Sequence, residues 1–289
     1  MGCPGVITQD TTLTDDIVAQ PGGPTECIRL GADGITLNLN GKTVDIRPLH
    51  MSGRAIAIFD VSNVTVVGPG TVETMYDNTV LSPRAVRVRG SSNVSIRSIR
   101  VLNLDAAGQP QPPNRRVGRG IDLEEITGAN VVGNEVAYYG RGIYLLNSSP
   151  VASFDSVSAN FAHDNTIEIA RSFGIGLLGS SGWKVTGNRT TRNGSRANGE
   201  AGIELQTGSN DNTVSGNRAN RNLGPGITLD SGASGNTIEG NVALHNGTAR
   251  AGPDLADANP SPSPNTWDPD NRCHFEAGSV PPDVCNPGE

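Results

Sequence analysis

The sequence predicts an all-β chain wound as a parallel β-helix, a solenoid in which every coil adds one strand to each sheet. A unit made of Gly-Ile-x-Leu, a polar turn and a second short strand ending in Gly-Asn recurs along most of the chain, for example at 202–217 and 226–241. The shortest intervals between units are about 22 and 24 residues, within the range of repeat architectures. Apolar residues alternate with a period of two, which indicates half-buried strands, and no segment shows a helical period.

The composition excludes several classes of protein. The chain has 289 residues with 37 glycines and 19 prolines, which suits short strands joined by many turns. Only 4% of the residues are aromatic, so we expect a core of stacked Val, Ile and Leu. The net charge of −7 gives no global attraction to nucleic acid, and we expect no nucleic-acid partner. No apolar run reaches the ~18–20 residues of a membrane span, so none is predicted.

Three regions follow in order along the chain. Residues 1–27 carry short extended pieces and are predicted to be an N-terminal cap over the first open coil. Residues 28–248 are predicted to form the β-helix. Its first strands share an apolar-x-apolar centre and begin at Ile28, Ile56, Val86, Ile121, Ile143, Ile175, Ile203 and Ile227. Residues 249–289 are predicted to be a capping tail anchored by Trp267, because alternate prolines at 260–264 cannot continue a ladder.

One asparagine recurs at the same corner of successive coils. The members of this column are Asn134, Asn160, Asn188, Asn217 and Asn241. Asparagine tolerates the left-handed conformation of a sharp corner, and stacked side-chain amides bond to one another along a column. We therefore predict a structural role for this column.

The cysteines lie near the two ends of the chain, Cys3 with Cys27 and Cys273 with Cys285. Four cysteines allow three connectivities, of which two local disulfides are the simplest, and the spacings do not match a zinc site. Disulfides would indicate a secreted or periplasmic protein. Since no signal peptide precedes Cys3, we expect that a leader has been removed.

The repeating unit resembles the parallel β-helix repeat of the pectate-lyase-like superfamily. Asp10–Asp16 and Ala32–Gly41 resemble the first coil of small exported members, and Asp254–Trp267 resembles their C-terminal ending. The resemblance implies a single-stranded right-handed parallel β-helix (solenoid) of about eight coils with N- and C-terminal caps. The superfamily includes polysaccharide lyases, mannuronan C5-epimerases, pectin-type hydrolases and copper-site maturation proteins. The catalytic signatures of the hydrolases are absent as a set, as is the epimerase string Tyr-Gly-Phe-Asp-Pro-His, so no subfamily is assigned.

In lyases and epimerases of this superfamily, substrate lies along the outer face of the first sheet. Alternation along each strand would bring Arg87, Arg89, Asp122, Glu124 and Tyr144 together there, with a gap at Gly176. We expect the loops at 105–118 and 161–173 to overhang this cluster. The candidate substrate-binding residues are Arg89, Arg116, Arg141, Arg171 and Glu204.

Elimination or epimerisation of a uronic acid requires a neutralised carboxylate and removal of the C5 proton. The candidate catalytic residues are Tyr144, His163, Arg87, Arg119 and Asp122. Arg87 or Arg119 would contact the substrate carboxylate, and Tyr144 or His163 would act as base and acid. Asp122 and Glu124 would offer oxygen ligands to Ca²⁺. An enzyme of this kind, a lyase or an epimerase acting as a monomer on an acidic polysaccharide, is the favoured hypothesis.

Three alternatives stay open. The charged side chains would also form ordinary cross-strand ion pairs on a solvated sheet. Asp122 and Glu124, roughly 6.5–7 Å apart along one strand, overlap the roughly 6.5–9.5 Å of inverting glycoside hydrolases. Neighbouring arginines would keep both carboxylates ionised, which opposes a general-acid role. The low aromatic content favours a non-catalytic carbohydrate-binding or structural β-helix.

Overall fold

The computed structural model is a right-handed parallel β-helix in which three sheets run the length of the molecule. It describes residues 1–47, 53–75, 83–113, 116–152, 155–165, 172–194, 200–247, 253–278, 280–282 and 284–285. Within these ranges there is no α-helix, and every strand pairs in parallel with the equivalent strand of the next coil. The predicted fold class is confirmed.

The first sheet contains all eight strands predicted from the apolar-x-apolar pattern. It comprises β1 (Gly5–Ile7), β4 (Glu26–Leu30), β7 (Arg54–Phe59), β10 (Arg84–Arg89), β13 (Arg119–Glu124), β16 (Arg141–Leu146), β19 (Phe173–Leu178), β22 (Ile203–Leu205), β25 (Ile227–Leu229), β27 (Leu255–Asp257) and β29 (Glu276–Gly278). Their first core residues stack in register, as Ile121 does on Val86 and Ile143, and are fully buried. Burial of these aliphatic columns is the main source of stability.

The second sheet follows the first in every coil. It comprises β2 (Thr11–Thr12), β5 (Thr36–Asn38), β8 (Thr65–Val67), β11 (Ser92–Arg97), β14 (Thr127–Val132), β17 (Ser156–Ser158), β20 (Lys184–Thr186), β23 (Thr213–Ser215), β26 (Thr237–Glu239) and β28 (Thr266–Trp267). The Gly-Asn corner closes each of its inner strands from β14 to β26, apart from β17, where Ala159 replaces the glycine.

A third sheet lies where the sequence pattern predicted only loop. It comprises β3 (Ile17–Val18), β6 (Thr43–Asp45), β9 (Thr71–Thr74), β12 (Arg100–Asn103), β15 (Glu135–Ala137), β18 (Phe161–His163), β21 (Arg189–Thr191) and β24 (Arg218–Ala219). The central residues of its shortest strands, such as Val136, Ala162 and Thr190, are buried. Strands of two or three residues with one inward side chain are too short for alternation to be visible.

Both terminal segments, predicted to be caps, contribute strands to the sheets. In the segment 1–27, β1, β2 and β3 pair with the strands of the next coil in all three sheets. The C-terminal tail adds β27, β28 and β29, and Trp267 is 7% exposed with its indole N–H donating to Asp257 Oδ2 at 3.2 Å. The disulfides Cys3–Cys27 and Cys273–Cys285 are present as predicted, one on each terminal segment. No helix among the described residues is long and apolar enough to cross a membrane.

Candidate functional site

The outer face of the first sheet carries the predicted column of polar side chains. Strand register places Arg87 beside Asp122, Asp122 beside Tyr144, Tyr144 beside Gly176 and Gly176 beside Glu204. Between β4 and β16 this face is dominated by arginine. The strands carry Arg29, Arg54, Arg84, Arg87, Arg89, Arg119 and Arg141 against the carboxylates of Glu26, Asp122 and Glu124.

The two central carboxylates are both held by arginines. Asp122 is fully buried, and its Oδ1 accepts a hydrogen bond from Arg119 Nη1 at 2.7 Å. Arg84 Nη1 lies 3.1 Å from Asp122 Oδ2 and 3.5 Å from Glu124 Oε2, so it bridges the two acids. Glu124 Oε2 also accepts from Arg87 Nη2 at 2.8 Å.

The electrostatics of Glu124 argue against the inverting-hydrolase hypothesis. Burial by itself raises the pKa of Glu124, but the hydrogen bond from Arg87 and the charges of Arg87, Arg84 and Arg89 outweigh it, and the net pKa is lowered. A carboxyl group that is ionised at neutral pH cannot donate the proton that a general acid must supply.

The same contacts bear on the predicted Ca²⁺ ligands, Asp122 and Glu124. Ca²⁺ takes six to eight oxygen ligands, whereas guanidinium groups of Arg119, Arg84 and Arg87 already occupy these carboxylates. Within the described ranges, the grouping of His, Cys, Asp and Glu close enough to share a metal is Cys273, Glu276 and Cys285, whose sulfurs form a disulfide. The donor set at Asp122 and Glu124 does not fit Ca²⁺.

Tyr144 lies between two guanidinium groups. Arg119 and Arg141 stand 4.9 and 5.0 Å from its ring centroid, and the Phe173 ring is 5.3 Å away. Only 3% of Tyr144 is exposed. Burial raises the pKa of Tyr144, with Arg141 and Arg119 opposing the shift, and burial lowers the pKa of Arg141.

The gap predicted at Gly176 is filled by an aromatic ring. A Cβ placed on Gly176 would lie 2.3 Å from a ring carbon of Phe173, so this ring occupies the space that the missing side chain leaves. Because Phe173 precedes the first core residue of its strand by two positions, strict alternation assigned it to the inner face.

An arginine-lined groove opens beside this cluster, towards the N-terminal coils. The guanidinium carbons of Arg54, Arg29 and Arg87 lie 5.4, 5.5 and 5.8 Å from the centroid of the Phe59 ring, within the range of cation–π contacts. The groove has a volume of about 400 Å³ and is lined by Arg29, Arg54, Phe59, Asp60, Arg87, Arg89, Gly90 and Glu125. We call it the Phe59 groove.

The charges in the Phe59 groove are only partly compensated. Arg54 pairs with Glu26 at 2.7 Å. Arg89 pairs with Glu125 at 3.3 Å, and the side chains of Arg89 and Glu125 are both about half exposed. Arg87 pairs with Glu124 at 2.8 Å, which leaves Arg29 as the arginine of this groove without an ion pair among the described residues. A concave surface with such a guanidinium group and an aromatic floor suits an anionic ligand with an apolar face.

Sequence reasoning missed Arg54, Phe59, Arg84 and Phe173. A signal was present, because Arg-small-Ile or Arg-small-Val opens four successive strands at Arg54, Arg84, Arg119 and Arg141. Strict alternation places these arginines on the inner face with the core isoleucines. The structure turns them outward, onto Phe59, Asp122 and Tyr144.

The predicted position of His163 is wrong. His163 ends β18 in the third sheet, so it does not join Tyr144 on the first. Its Nδ1 lies 2.8 Å from Asp164 Oδ2 and its Nε2 lies 3.3 Å from Glu135 Oε1, while the ring stacks on Phe161 at 4.3 Å. These contacts keep the imidazole 7% exposed and make it part of a polar cluster on another face.

The loop at 105–118 also differs from its predicted position. Its described residues lie over the C-terminal ends of β12, β15 and β18 in the middle of the third sheet, where Gln111 donates to Leu104 O at 3.1 Å. Arg116 donates to Asp164 O at 2.7 Å and stacks over Tyr138, which places this predicted substrate-binding residue away from the cluster. The loop covers the satellite apolar cluster that includes Leu102, so burial of that cluster determines its direction.

Two further predicted substrate-binding residues are Glu204 and Arg171. Glu204 lies on the predicted column, where it is 2% exposed and accepts a hydrogen bond from Gln206 Nε2 at 2.9 Å, so it is buried to the same depth as Tyr144. Arg171 lies outside the described residues, as does the rest of 166–171 in this loop.

The fold and this site define a class of protein, a parallel β-helix with an arginine-rich outer face on its first sheet. The chain belongs to the right-handed β-helix family, whose model matches residues 84–260. No curated protein matched the sequence.

Several solved structures are similar in fold. The Dettilon tailspike protein shares 15% identity with a TM-score of 0.54, covering 94% of this chain and 60% of its own. A double mutant of the periplasmic alginate epimerase AlgG shares 15% identity with a TM-score of 0.47, covering 86% and 65%. The AlgE4 A-module, a mannuronan C-5 epimerase of Azotobacter vinelandii, shares 14% with a TM-score of 0.43, covering 95% and 75%. The chain thus spans less than two thirds of the first two proteins, and such identities show the fold alone.

Proposed function

We propose that this protein is a carbohydrate-active β-helix that binds an acidic polysaccharide along the outer face of its first sheet. The observation that carries the proposal is the run of arginines from Arg29 to Arg141, which converges on Phe59 and Tyr144 in a chain whose net charge is −7. Guanidinium groups bind planar carboxylates in a bidentate fashion, and aromatic rings support the apolar faces of sugars. A uronic-acid polymer offers both features.

The favoured reaction is lyase or C5-epimerase chemistry at Tyr144. Both reactions begin by removing the C5 proton beside the sugar carboxylate. A lyase then breaks the bond between C4 and the glycosidic oxygen, whereas an epimerase returns a proton to the opposite face of C5. The guanidinium groups of Arg119 and Arg141 stand over the Tyr144 ring, their charges favour ionisation of its phenol, and either group would neutralise a substrate carboxylate placed beside the ring.

The environment of Tyr144 shapes its part in this chemistry. Because burial raises its pKa, the free protein holds the phenol protonated at neutral pH. We infer that in the complex the phenol releases its proton to solvent, because the charges of Arg141 and Arg119 favour the phenolate. The phenolate then takes the C5 proton and, in a lyase, passes it to the leaving glycosidic oxygen, while in an epimerase water returns a proton to the opposite face of C5. Asp122 fixes Arg119 in place from the buried side and does not contact substrate.

A non-catalytic binding protein is the second candidate. The observation that favours it is burial, since Asp122 is fully buried and Tyr144 is 3% exposed, while the Phe59 groove is open. In this case the polymer would occupy the groove without reaching Tyr144. The two disulfides support export to the periplasm or the outside of the cell in either case.

The test is ultraviolet absorbance of the unsaturated sugar that elimination alone produces, with alginate, pectate, glucuronan and glycosaminoglycans as substrates. Reducing-end and epimerisation assays follow on any polymer that stays silent. Chelator should leave turnover unchanged, because Asp122 and Glu124 are occupied by arginines. Turnover in Tyr144→Phe should fall at least about 100-fold, since the ring remains and only the phenol is lost.

The matched control is Arg97→Gln, which removes an exposed arginine from the second sheet. Full turnover in Tyr144→Phe would reject the assignment of Tyr144. Binding without turnover on every polymer would favour the second candidate, and an absence of both would reject the proposal.

A further inference from the structure

The third sheet carries an unusual surface on its C-terminal half. Arg189 and Arg218 are register partners on β21 and β24, and both are exposed. Arg192 and Arg221 follow three residues later in the same two coils, where the Arg192 N–H donates to Arg221 O at 3.1 Å. Adjacent coils are about 4.8 Å apart, and Arg192 and Arg221 lie at the corner that follows β21 and β24, with φ of 54° and 58°. The four side chains thus form two rows of cations, one row in each coil: Arg189 and Arg192, then Arg218 and Arg221. We call this surface the arginine grid.

The arginine grid lacks the carboxylates that would normally neutralise it. Like charges on neighbouring strands destabilise a sheet, so their pairing needs a reason. Of the four, Arg192 pairs with Asp164, and no ion pair joins Arg189, Arg218 or Arg221 to any residue within the described ranges. Arg189 stacks instead over the Phe161 ring at 4.9 Å.

The Arg192–Asp164 pair shows what the grid recognises. Arg192 Nε and Nη2 each lie 2.7 Å from one oxygen of the Asp164 carboxylate, a bidentate contact with both oxygens engaged. Arg221 occupies the equivalent position on the next coil with its guanidinium exposed. A carboxylate from outside would find there the geometry that Asp164 finds at Arg192.

We propose that the arginine grid is a second binding surface, which holds a uronic-acid polymer along the axis of the β-helix. A chain lying along the axis would cross one coil about every 4.8 Å, so the carboxylates on the side of the polymer that faces the sheet would lie within reach of the arginines of both coils. The inference goes beyond the function proposed above and does not depend on it, because the grid lies on the third sheet and Tyr144 lies on the first.

A nucleic acid fits this surface less well. Proteins that bind single strands combine cations with exposed aromatic platforms for the bases, and the aromatic ring at the grid, Phe161, is covered by Arg189.

The experiment is affinity electrophoresis of the whole protein through gels containing polygalacturonate or alginate, with dextran as the neutral polymer. The test variant is Arg218→Gln/Arg221→Gln. The matched control is Arg97→Gln/Lys184→Gln, which removes two exposed cations from the second sheet. A third variant, Arg29→Gln/Arg54→Gln, reports the contribution of the Phe59 groove.

We expect the grid variant to bind the acidic polymers about ten-fold more weakly than wild type. The control should stay within about two-fold of wild type, and dextran should retard none of them. Turnover of short oligosaccharides, where present, should be the same in the grid variant and in wild type, since it depends on the first sheet. This readout separates failure of the grid from failure of the proposed reaction.

Three outcomes would overturn the inference. The first is that the grid variant and its control bind the acidic polymers with equal affinity. The second is that neither acidic polymer retards the wild-type protein. The third is that the wild-type protein binds a single-stranded RNA homopolymer more tightly than the acidic polysaccharides at equal ionic strength. The last result would make the grid a nucleic-acid surface.

Discussion

At the scale of the residue, asparagine side chains fix the register of the coils. Each Asn in the predicted column donates from Nδ2 to the Oδ1 of the next, as Asn188 does to Asn217 at 3.0 Å. The structure adds two further ladders. One runs through Asn165, Asn193, Asn222 and Asn246 to Asp254, and the other through Asn212, Asn236 and Asn265.

The sequence predicted the first ladder correctly but explained its corner incorrectly. Positive φ falls on the residue before each asparagine, which is glycine in four coils, such as Gly133 at 66° or Gly187 at 62°, and Ala159 in one. This preceding residue supplies the left-handed conformation, and asparagine supplies the hydrogen bonds. The sequence also contains a signal for the other ladders, because asparagine stands at every fifth position in 212–222 and again in 236–246. A search for one corner per coil could not find them.

Replacing one ladder residue should be costly. Asn217 Oδ1 accepts from the backbone N–H and the Nδ2 of Asn188, and its own Nδ2 donates to Val185 O and Asn241 Oδ1. Asn217→Ala would leave several buried polar groups without partners, at about 1–3 kcal/mol for each. We expect the free energy of unfolding in urea to fall by at least about 3 kcal/mol, whereas Arg218→Ala on the exposed neighbour should change it by less than about 0.5 kcal/mol. A loss below about 1 kcal/mol for Asn217→Ala would contradict this account.

Gly176 offers a second test at this scale. A methyl group in Gly176→Ala would displace the Phe173 ring and, through it, Tyr144. Overpacking of this kind costs about 1–3 kcal/mol, measurable by thermal or urea unfolding. Gly187→Ala is the control for a glycine replacement without a steric clash. Its Cβ would meet open space, so the only cost would be backbone strain at its φ of 62°. If Phe173 does fill the gap, the assigned NMR ring resonances of Tyr144 should shift in Gly176→Ala and not in Gly187→Ala.

At the scale of the element, the strands of the first sheet were predictable and the surroundings of the site were not. Alternation is reliable in the middle of a strand, which is why Arg87, Asp122 and Tyr144 fall in one column as predicted. It fails where a strand enters the sheet, as at Arg84 and Phe173. Loop direction depends on burial of side chains far apart in sequence, as the contact of Arg116 with Asp164 shows, and no local pattern encodes it.

The cluster around Asp164 should make stability depend on pH. Burial raises the pKa of Asp164, but hydrogen bonds from Arg192 and His163 outweigh it and hold the pKa well below its ordinary value. A carboxylate with a lowered pKa in the folded state stabilises the protein above its unfolded pKa of about 3.9 and loses that contribution as the pH falls further. We expect Asp164→Asn to reduce the free energy of unfolding by about 1.5–3 kcal/mol at neutral pH, with the difference shrinking in acid.

The comparison for Asp164 is Glu125→Gln. Glu125 forms a half-exposed ion pair with Arg89, so its removal should cost less than about 1 kcal/mol at neutral pH. If the free energy of unfolding differed between wild type and Asp164→Asn by the same amount at neutral and at strongly acidic pH, the Asp164 carboxylate would contribute no pH-linked stability.

At the scale of the whole molecule, stability is spread along one dimension. Each coil contacts mainly its two neighbours through the three sheets, so the ends are the places where unfolding begins. The disulfides close these ends, with Cys3–Cys27 joining β1 to β4 and Cys273–Cys285 holding the chain beside β29. The cysteine spacing predicted both disulfides, since each partner is the nearest available.

Removal of one disulfide should therefore act locally. In Cys273→Ser/Cys285→Ser we expect amide hydrogen exchange to accelerate in β27 and β29 and to stay unchanged in β13 and β16. The total cost should be about 2–4 kcal/mol. Uniform acceleration along the chain would indicate a single cooperative unit, in which the ends have no separate stability.

The three asparagine ladders also limit how a protein of this kind changes its length. An insertion inside a strand would move every later asparagine out of line with its partners, whereas the addition or loss of a complete coil keeps all three ladders intact. Loops at the corners are exempt, which explains how segments as different as 105–118 and the direct turn at 138–141 connect equivalent strands. Descendants of this chain would therefore gain or lose binding surface in whole turns, and each added turn would extend the first-sheet face and the arginine grid by one row together.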